Sequence, residues 1–188
     1  MRKQVVKDIE KEFLEPSFRY LVKNGLENTS VRDLCKAMDI SYGSLYYWFE
    51  GKDDIYISVV KYGVGKVADN LFKFCFEKIS TPKIFFDSFL DEIDKYLLEL
   101  RLVIQVTTSP VYGDKIRQKS MDFNSTYEEY INELGKILDC DPQILIPIVY
   151  FLISILVDYV VWEDRSVSEM QLDDLYKTML AKIEAAKN

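Results

Sequence analysis

Apolar residues recur three or four positions apart through nearly every segment of this chain, and long alternating β-branched runs bounded by hairpin signals are absent. That period lays apolar side chains along one face of a helix, whereas a half-buried strand needs a period of two. The chain is therefore expected to be all-α, with a small N-terminal three-helix unit and a larger C-terminal helical bundle, about nine helices in all. At 188 residues it has enough chain for one sizeable core or for a small unit joined to a larger one.

Helix punctuation divides the sequence. Residues 5–24 form an amphipathic pattern with a defect at Pro16, where the chain either kinks or ends a short leading helix and opens the next. Gly25 suits a left-handed stop. Thr29 or Ser30 caps a short helix with Asp33 in its first turn, Asp39-Ile40 makes a turn, and Ser41 caps a second short helix from Tyr42 to Tyr47 or Trp48. A long helix is expected from Lys52 to about Glu77, another from Pro82 to Leu102 or a little beyond, and a third from Asp114 to Leu138. The most apolar helix follows Asp141-Pro142 and ends near Asp164-Arg165, and Ser168 is expected to cap the last one, Glu169 to Ala186. The natural seam falls near residue 50, giving domains 1–51 and 52–188.

Composition excludes several classes. There is no histidine, and the three cysteines form no Cys-x-x-Cys pair, so His-based triads, thiolate cages and disulfide scaffolds are not expected, nor is any metal or cofactor. The net charge of −7 argues against nonspecific clinging to nucleic acid. Residues 1–50 carry eight basic and eight acidic residues, however, so the whole negative excess lies beyond them. The first residues return to charge before an apolar core of signal-peptide length can form. The most apolar stretch, Ile144 to Val157, is fourteen residues and holds Pro147, short for a bilayer span. A cytoplasmic protein with no membrane partner is expected.

Two short helices joined by a tight turn make a helix-turn-helix, whose second helix enters the major groove. Helical phasing turns Ile40, Leu45, Tyr46 and Phe49 towards the core and presents Ser41, Tyr42, Gly43, Ser44 and Tyr47 on the other side. Small hydroxyls, a glycine and two phenols suit contact with DNA. Ser44 is the candidate for a base edge or adjacent phosphate, Tyr42 for a thymine methyl or phosphate, and Tyr47 for phosphate. On spacing alone, a plain helical hairpin fits as well.

The string Gly25, Thr29-Ser30-Val31-Arg32-Asp33-Leu34-Cys35, then Ile40-Ser41-Tyr42-Gly43-Ser44-Leu45-Tyr46-Tyr47-Trp48-Phe49-Glu50-Gly51-Lys52, resembles the DNA-binding domain of TetR-family transcriptional regulators. The resemblance covers residues 13–60. It implies that Thr29 and Ser30 cap the second helix near a phosphate, that Arg32 makes a phosphate or groove contact, and that Ser41 to Ser44 begin the recognition helix. It also implies phosphate contacts from Tyr47 and Lys52, with Leu45, Tyr46 and Phe49 as buried anchors. The sequence departs from the family's pattern at Pro16, at Ser17 in place of alanine, at Leu21 in place of phenylalanine, at Trp48, and in a longer, weakly basic leader containing Arg2, Lys3, Lys7 and Lys11.

The helix from Pro142 is apolar nearly all round, so it needs intrachain neighbours on one side and something else on the other. With the last helix it fits a twofold four-helix interface, for which Ile148, Phe151, Leu152, Ile155, Leu172, Leu175 and Met179 are the candidates. A homodimer would grip an operator of approximate twofold symmetry, which the resemblance also implies. Aromatic residues are dense between 55 and 165. Tyr62, Phe72, Phe89, Tyr96, Phe123, Tyr127, Tyr159 and Trp162, with Gln105, are candidates to line a pocket for a small hydrophobic or aromatic effector. If Asp158 or Glu163 faces inward among the rings, a lipophilic cation is the preferred guest. Gly63 and Gly65, inside the long helix, mark a bend or a close crossing.

The expected function is thus a ligand-responsive, sequence-specific regulator of transcription, a repressor released by its effector. The alternative is a helical structural or ligand-binding protein that does not read DNA. An enzyme is not expected: Gly63-Val64-Gly65-Lys66 lacks the spacing and preceding strand of a phosphate loop, and no nucleophile motif occurs.

Overall fold

A computed structural model describes residues 10–119 and 123–187. Among the described residues there are ten α-helices, one π-helical turn and no strand. The π-turn Glu10–Leu14 leads into α1, Glu15–Asn24, with Pro16 in its first turn. Pro16 thus opens a helix, where its missing N–H costs nothing. Gly25, at φ 80°, ends α1, and its amide donates to the Leu21 carbonyl at 2.8 Å. A residue with a Cβ is strained in that left-handed region. Then follow α2, Val31–Ala37, α3, Tyr42–Leu45, and the long α4, Lys52–Lys78. The rest comprises α5, Pro82–Asp94, α6, Leu97–Thr108, α7, Gly113–Lys119, α8, Phe123–Leu138, α9, Pro142–Trp162, and α10, Arg165–Lys187.

Several expected bounds are corrected. The helix expected from Pro82 to Leu102 is two helices. The amides of Lys95 and Tyr96 turn back to the carbonyls of Glu92 and Ile93, at 3.3 and 2.9 Å, and close α5 with i→i+3 bonds. The stretch expected as one helix from Asp114 to Leu138 is helical on both sides of residues 120–122, as α7 and α8, and those three residues lie outside the described ones. α3 stops at Leu45, and residues 46–48 continue as turns. α9 ends at Trp162, with Glu163 in the left-handed conformation at φ 53°. The Asp164 carboxylate accepts from the Val167 amide at 3.1 Å and so caps α10; Ser168 lies within that helix, buried.

Packing groups the described residues into two compact units. One runs to Ala68 and takes in Leu98 to the end of α7; the other holds Asp69 to Leu97 and everything from α8 onward. The first is larger than the helix-turn-helix, because α6 and α7 belong to it. Its core joins Phe13, Leu21, Leu34, Leu45, Ile55 and Val59 to Leu102 and Val106 of α6, with Tyr112 and Ile116 packed against it. α1 crosses α4 so closely that a Cβ on Gly63 would lie 2.1 Å from the Phe18 ring, whereas one on Gly65 would meet nothing within 4 Å. Gly63 is the close crossing.

In the second unit α10 packs against α9 and α5, and α8 against α9. Phe85, Phe86, Phe89 and Leu90 of α5 are buried, as are Leu145, Ile148, Ile155, Tyr159 and Val160 of α9. Arg165 bonds Asp91 at 2.5 Å, Asp94 at 3.0 Å and Glu169 at 2.8 Å, tying α5 to the start of α10. α9 is 21 residues long and its most apolar 18 residues have a mean hydropathy of 2.5, long and apolar enough to cross a bilayer, yet only 28 % of that window is buried. Its open face carries Pro147, Tyr150, Phe151, Ser154, Val157 and Val161, spaced as one helical stripe.

Candidate nucleic-acid interface

The interface is built from two caps. The Ser30 hydroxyl accepts from the Asp33 amide at 3.2 Å, while the Asp33 carboxylate accepts from the Ser30 amide and hydroxyl at 2.8 and 2.6 Å. This reciprocal capping box starts α2 at Val31 and makes Ser30 the cap. The Ser30 hydroxyl and then the Ser30 amide hold the Asp33 carboxyl below its ordinary pKa. Thr29 is buried; its hydroxyl donates to the Gly25 carbonyl at 2.7 Å, and its carbonyl accepts from the Tyr56 hydroxyl at 2.5 Å. Thr29 therefore braces the turn from within. A contact from its side chain to DNA needs that brace to open.

α3 begins the same way. The Ser41 hydroxyl accepts from the Ser44 amide at 3.1 Å and bonds the Ser44 hydroxyl at 2.5 Å. Leu45 and Phe49 are buried, Phe49 against Phe13 with ring centroids 5.6 Å apart. With these two anchors fixed, Ser41, Tyr42, Gly43, Ser44 and Tyr47 all lie exposed. Tyr47 is 79 % exposed and stands edge-on to the Trp48 ring at 4.7 Å.

Tyr46 corrects the expected phasing. Because α3 is a single turn, the residue after Leu45 leaves the helical path, and Tyr46 is exposed. Its hydroxyl bonds that of Tyr42 at 2.7 Å, and this bond raises the Tyr46 phenol above its ordinary pKa. The Arg32 guanidinium lies 5.9 Å from the Tyr42 ring centroid, within cation–π range. Arg32, Tyr42 and Tyr46 thus form one exposed row with a cation at one end and hydroxyls at the other. Sequence phasing missed Tyr46; the glycine and serine in so short a helix were the available signal.

Lys52 opens α4 in an exposed position, its ammonium 5.7 Å from the Tyr56 ring centroid. Asp54 accepts from the Glu50 amide at 3.1 Å, and Asp53 pairs with Lys115 of α7. The Tyr56 ring meets Tyr112 edge-on at 5.9 Å. Burial pushes the Tyr56 phenol up to about 12. The contacts of Tyr112 and Lys115 with the start of α4 carry no local sequence signal.

The expected pocket residues fall into separate surroundings. In the first unit, the Tyr62 hydroxyl donates to Glu15 at 3.4 Å, and Gln105 lines a cavity beside Thr29 and Lys52. In the second unit, Phe72 stacks on Tyr130 at 3.7 Å, Phe89 is buried against Phe85, and Tyr96 lines a cavity of about 450 Å³ with Lys73 and Glu77. Tyr159 is buried and donates to Asp94 at 2.6 Å. Trp162 and Glu163 are exposed, and Asp158 is half-buried. The side chains of Phe123 and Tyr127, like the leader's Arg2, Lys3, Lys7 and Lys11, lie outside the described residues.

Of the expected dimer residues, Ile148, Ile155, Leu172, Leu175 and Met179 are buried within the chain itself, and Leu152 is partly buried. Helix-on-helix packing inside the second unit already occupies them. Phe151 alone among the seven is exposed, on the open stripe of α9.

Residues 14–59 match the family model described as "Bacterial regulatory proteins, tetR family". No curated protein and no solved structure matches the chain. The chain therefore carries an N-terminal helix-turn-helix domain of the tetR type, and helices are the only regular secondary structure among its remaining described residues.

Proposed function

We propose that the chain is a sequence-specific, double-stranded DNA-binding regulator of transcription that works as a homodimer, a repressor released by a small hydrophobic or aromatic effector. The observation that carries this reading is the exposed edge of α3. Two buried anchors and a serine cap hold Ser41, Tyr42, Gly43, Ser44 and Tyr47 outward, within a segment that matches the tetR family. Ser44 and Tyr42 would meet bases or adjacent phosphates. Tyr47, Arg32, Ser30 and Lys52 would hold the backbone and fix the register.

One recognition edge with so few charges cannot supply a useful specificity ratio, so two are needed, about 34–36 Å apart on one face of the duplex. The open stripe of α9 supports a second copy as the partner, because each large apolar side chain left in water forfeits roughly 1.5–3 kcal/mol. Pro147, Tyr150, Phe151, Val157 and Val161 would then form the centre of a twofold interface.

The test is selection of duplexes from a randomised pool, followed by footprinting. The expected result is a twofold site with two protected half-sites one helical turn apart, lost in Tyr47→Ala and weakened for all sequences in Lys52→Met. Enrichment of no sequence by the wild-type chain would overturn the reading.

A further inference from the structure

Beside the cap of α2, within the first unit, lies a cavity of about 460 Å³ lined by Thr29, Lys52, Tyr56, Gln105, Thr108 and Tyr112. Its volume falls in the range of roughly 300–1,000 Å³ that holds small organic ligands. Leu26 and Val111 add apolar wall, and the edge-to-face rings of Tyr56 and Tyr112 form an aromatic corner. The Gln105 amide and the Thr108 hydroxyl bring polar groups to the same space.

The charges in the lining define the guest. The Lys52 ammonium makes no ion pair among the described residues, although Lys115, also close to the start of α4, is neutralised by Asp53. The one carboxylate in the lining is Glu27, which disfavours a second negative charge. A ligand with one anionic group and a flat apolar body satisfies both: its carboxylate meets Lys52 and its ring lies against Tyr56 and Tyr112.

We propose that this cavity binds a small aromatic monocarboxylate, and that the bound ligand takes the Lys52 ammonium away from the DNA backbone. The site stands on the cavity alone; the competition rests on the DNA-binding reading above. A carboxylate held on the Lys52 ammonium cancels its single positive charge and brings a negative one towards the phosphates, so occupancy weakens duplex binding without any movement of the C-terminal helices.

The probe is benzoate, with neutral benzamide at matched ionic strength as its control. On the full chain with ¹³C-labelled tyrosine rings, benzoate is expected to shift the Tyr56 and Tyr112 signals far more than benzamide does. Gln105→Trp, which fills the cavity and leaves duplex binding unchanged, abolishes the shift; Val111→Trp is the second filling variant. Lys52→Met abolishes the preference for benzoate over benzamide.

With the selected duplex, saturating benzoate is expected to lower the slope of log K against log salt by about 0.9 per subunit, one phosphate contact's worth. Lys52→Met shows that lower slope already and responds no further. Unshifted tyrosine signals, or equal shifts in the filled variants, overturn the site. A salt slope unchanged while the rings shift overturns the competition. If the wild-type chain binds no duplex, the DNA-binding reading and the competition fail together, and the ring signals still decide the cavity.

Discussion

The two units treat aromatic surface in opposite ways. The first buries its phenylalanines Phe13, Phe18 and Phe49 in its core, and the aromatic residues it leaves out, Tyr42, Tyr46, Tyr47 and Trp48, each have a polar tip. The second leaves out Tyr150, Phe151, Val157 and Val161 along α9, a stripe whose sole polar tips are the Tyr150 phenol and the Ser154 hydroxyl. Rings that carry hydroxyls can face water until a polar partner arrives, because nothing is left unsatisfied. A predominantly apolar stripe lowers its free energy only by drying against another apolar face. On the proposed function, the first surface is the one that would meet a wet, charged partner, and the second the one that would meet a copy of itself.

The strongest way to break this contrast is to wet the stripe. Phe151→Glu with Tyr150→Glu should convert a dimer to a folded monomer, weakening association by about 2 kcal/mol or more per altered contact at an interface centre. Sedimentation at micromolar concentration checks it. The matched control is Ile148→Glu, one turn away but buried, which should unfold the second unit instead, since an unpaired charge cannot be held in its core. Equal behaviour of the two variants would show that the stripe and the core face of α9 are not distinct.

The closure of the first unit is tested at Gly63. A methyl there meets the Phe18 ring at 2.1 Å, so Gly63→Ala should destabilise this unit by about 1–3 kcal/mol through overpacking. Phe18→Leu should restore much of the loss. Gly65→Ala has open space and should stabilise α4 by up to about 1 kcal/mol through helix propensity alone. Denaturant melts of the three variants separate a packing contact from a flexible joint.

Much of the first unit was legible from local chemistry. Ser30 followed three residues later by Asp33, and Gly25 after Lys23-Asn24, state a cap and a stop in side-chain terms, and the structure places both as expected. Two things were not legible. The phasing of Tyr46 assumed that α3 runs on for another turn, and a helix of four residues has no settled period to extrapolate. The contribution of Leu102, Val106, Tyr112 and Ile116 to the N-terminal core depends on chain packing across some fifty residues, which no local pattern encodes. In the second unit the periodicity showed that α9 needed cover on two sides. It could not say which side its own chain supplies, because a helix apolar all round has no phase. Hence Ile148 and Ile155 looked equivalent to Phe151, although only the last is exposed.

Two smaller substitutions sharpen the first unit's side of the comparison. Ser17 is fully buried and its hydroxyl has no hydrogen-bond partner among the described residues, at a position where the family resemblance expects alanine. Ser17→Ala should stabilise the unit by about 1 kcal/mol, since a buried hydroxyl without a partner forfeits its hydration for nothing. Ser30→Ala should cost about 1 kcal/mol by removing the α2 cap. Thermal melting distinguishes the signs.

The smallest effect is a pH dependence written into that same cap. The Ser30 hydroxyl and amide lower the folded-state pKa of Asp33 beneath the unfolded value of about 3.9. A group whose folded pKa is depressed contributes stability that is complete above the unfolded value and disappears as pH falls through the folded one. The wild-type chain should therefore be more stable than Asp33→Asn at pH 7, and the difference should shrink below about pH 4, where the carboxylate begins to take up its proton. Both proteins keep the α3 cap, which contains no ionisable group, so any loss of α3 order in this window must come from elsewhere. A gap between the two melting temperatures that stays constant down to pH 2 would mean that the box is held by its hydroxyl alone, and the capping charge would drop out of the account.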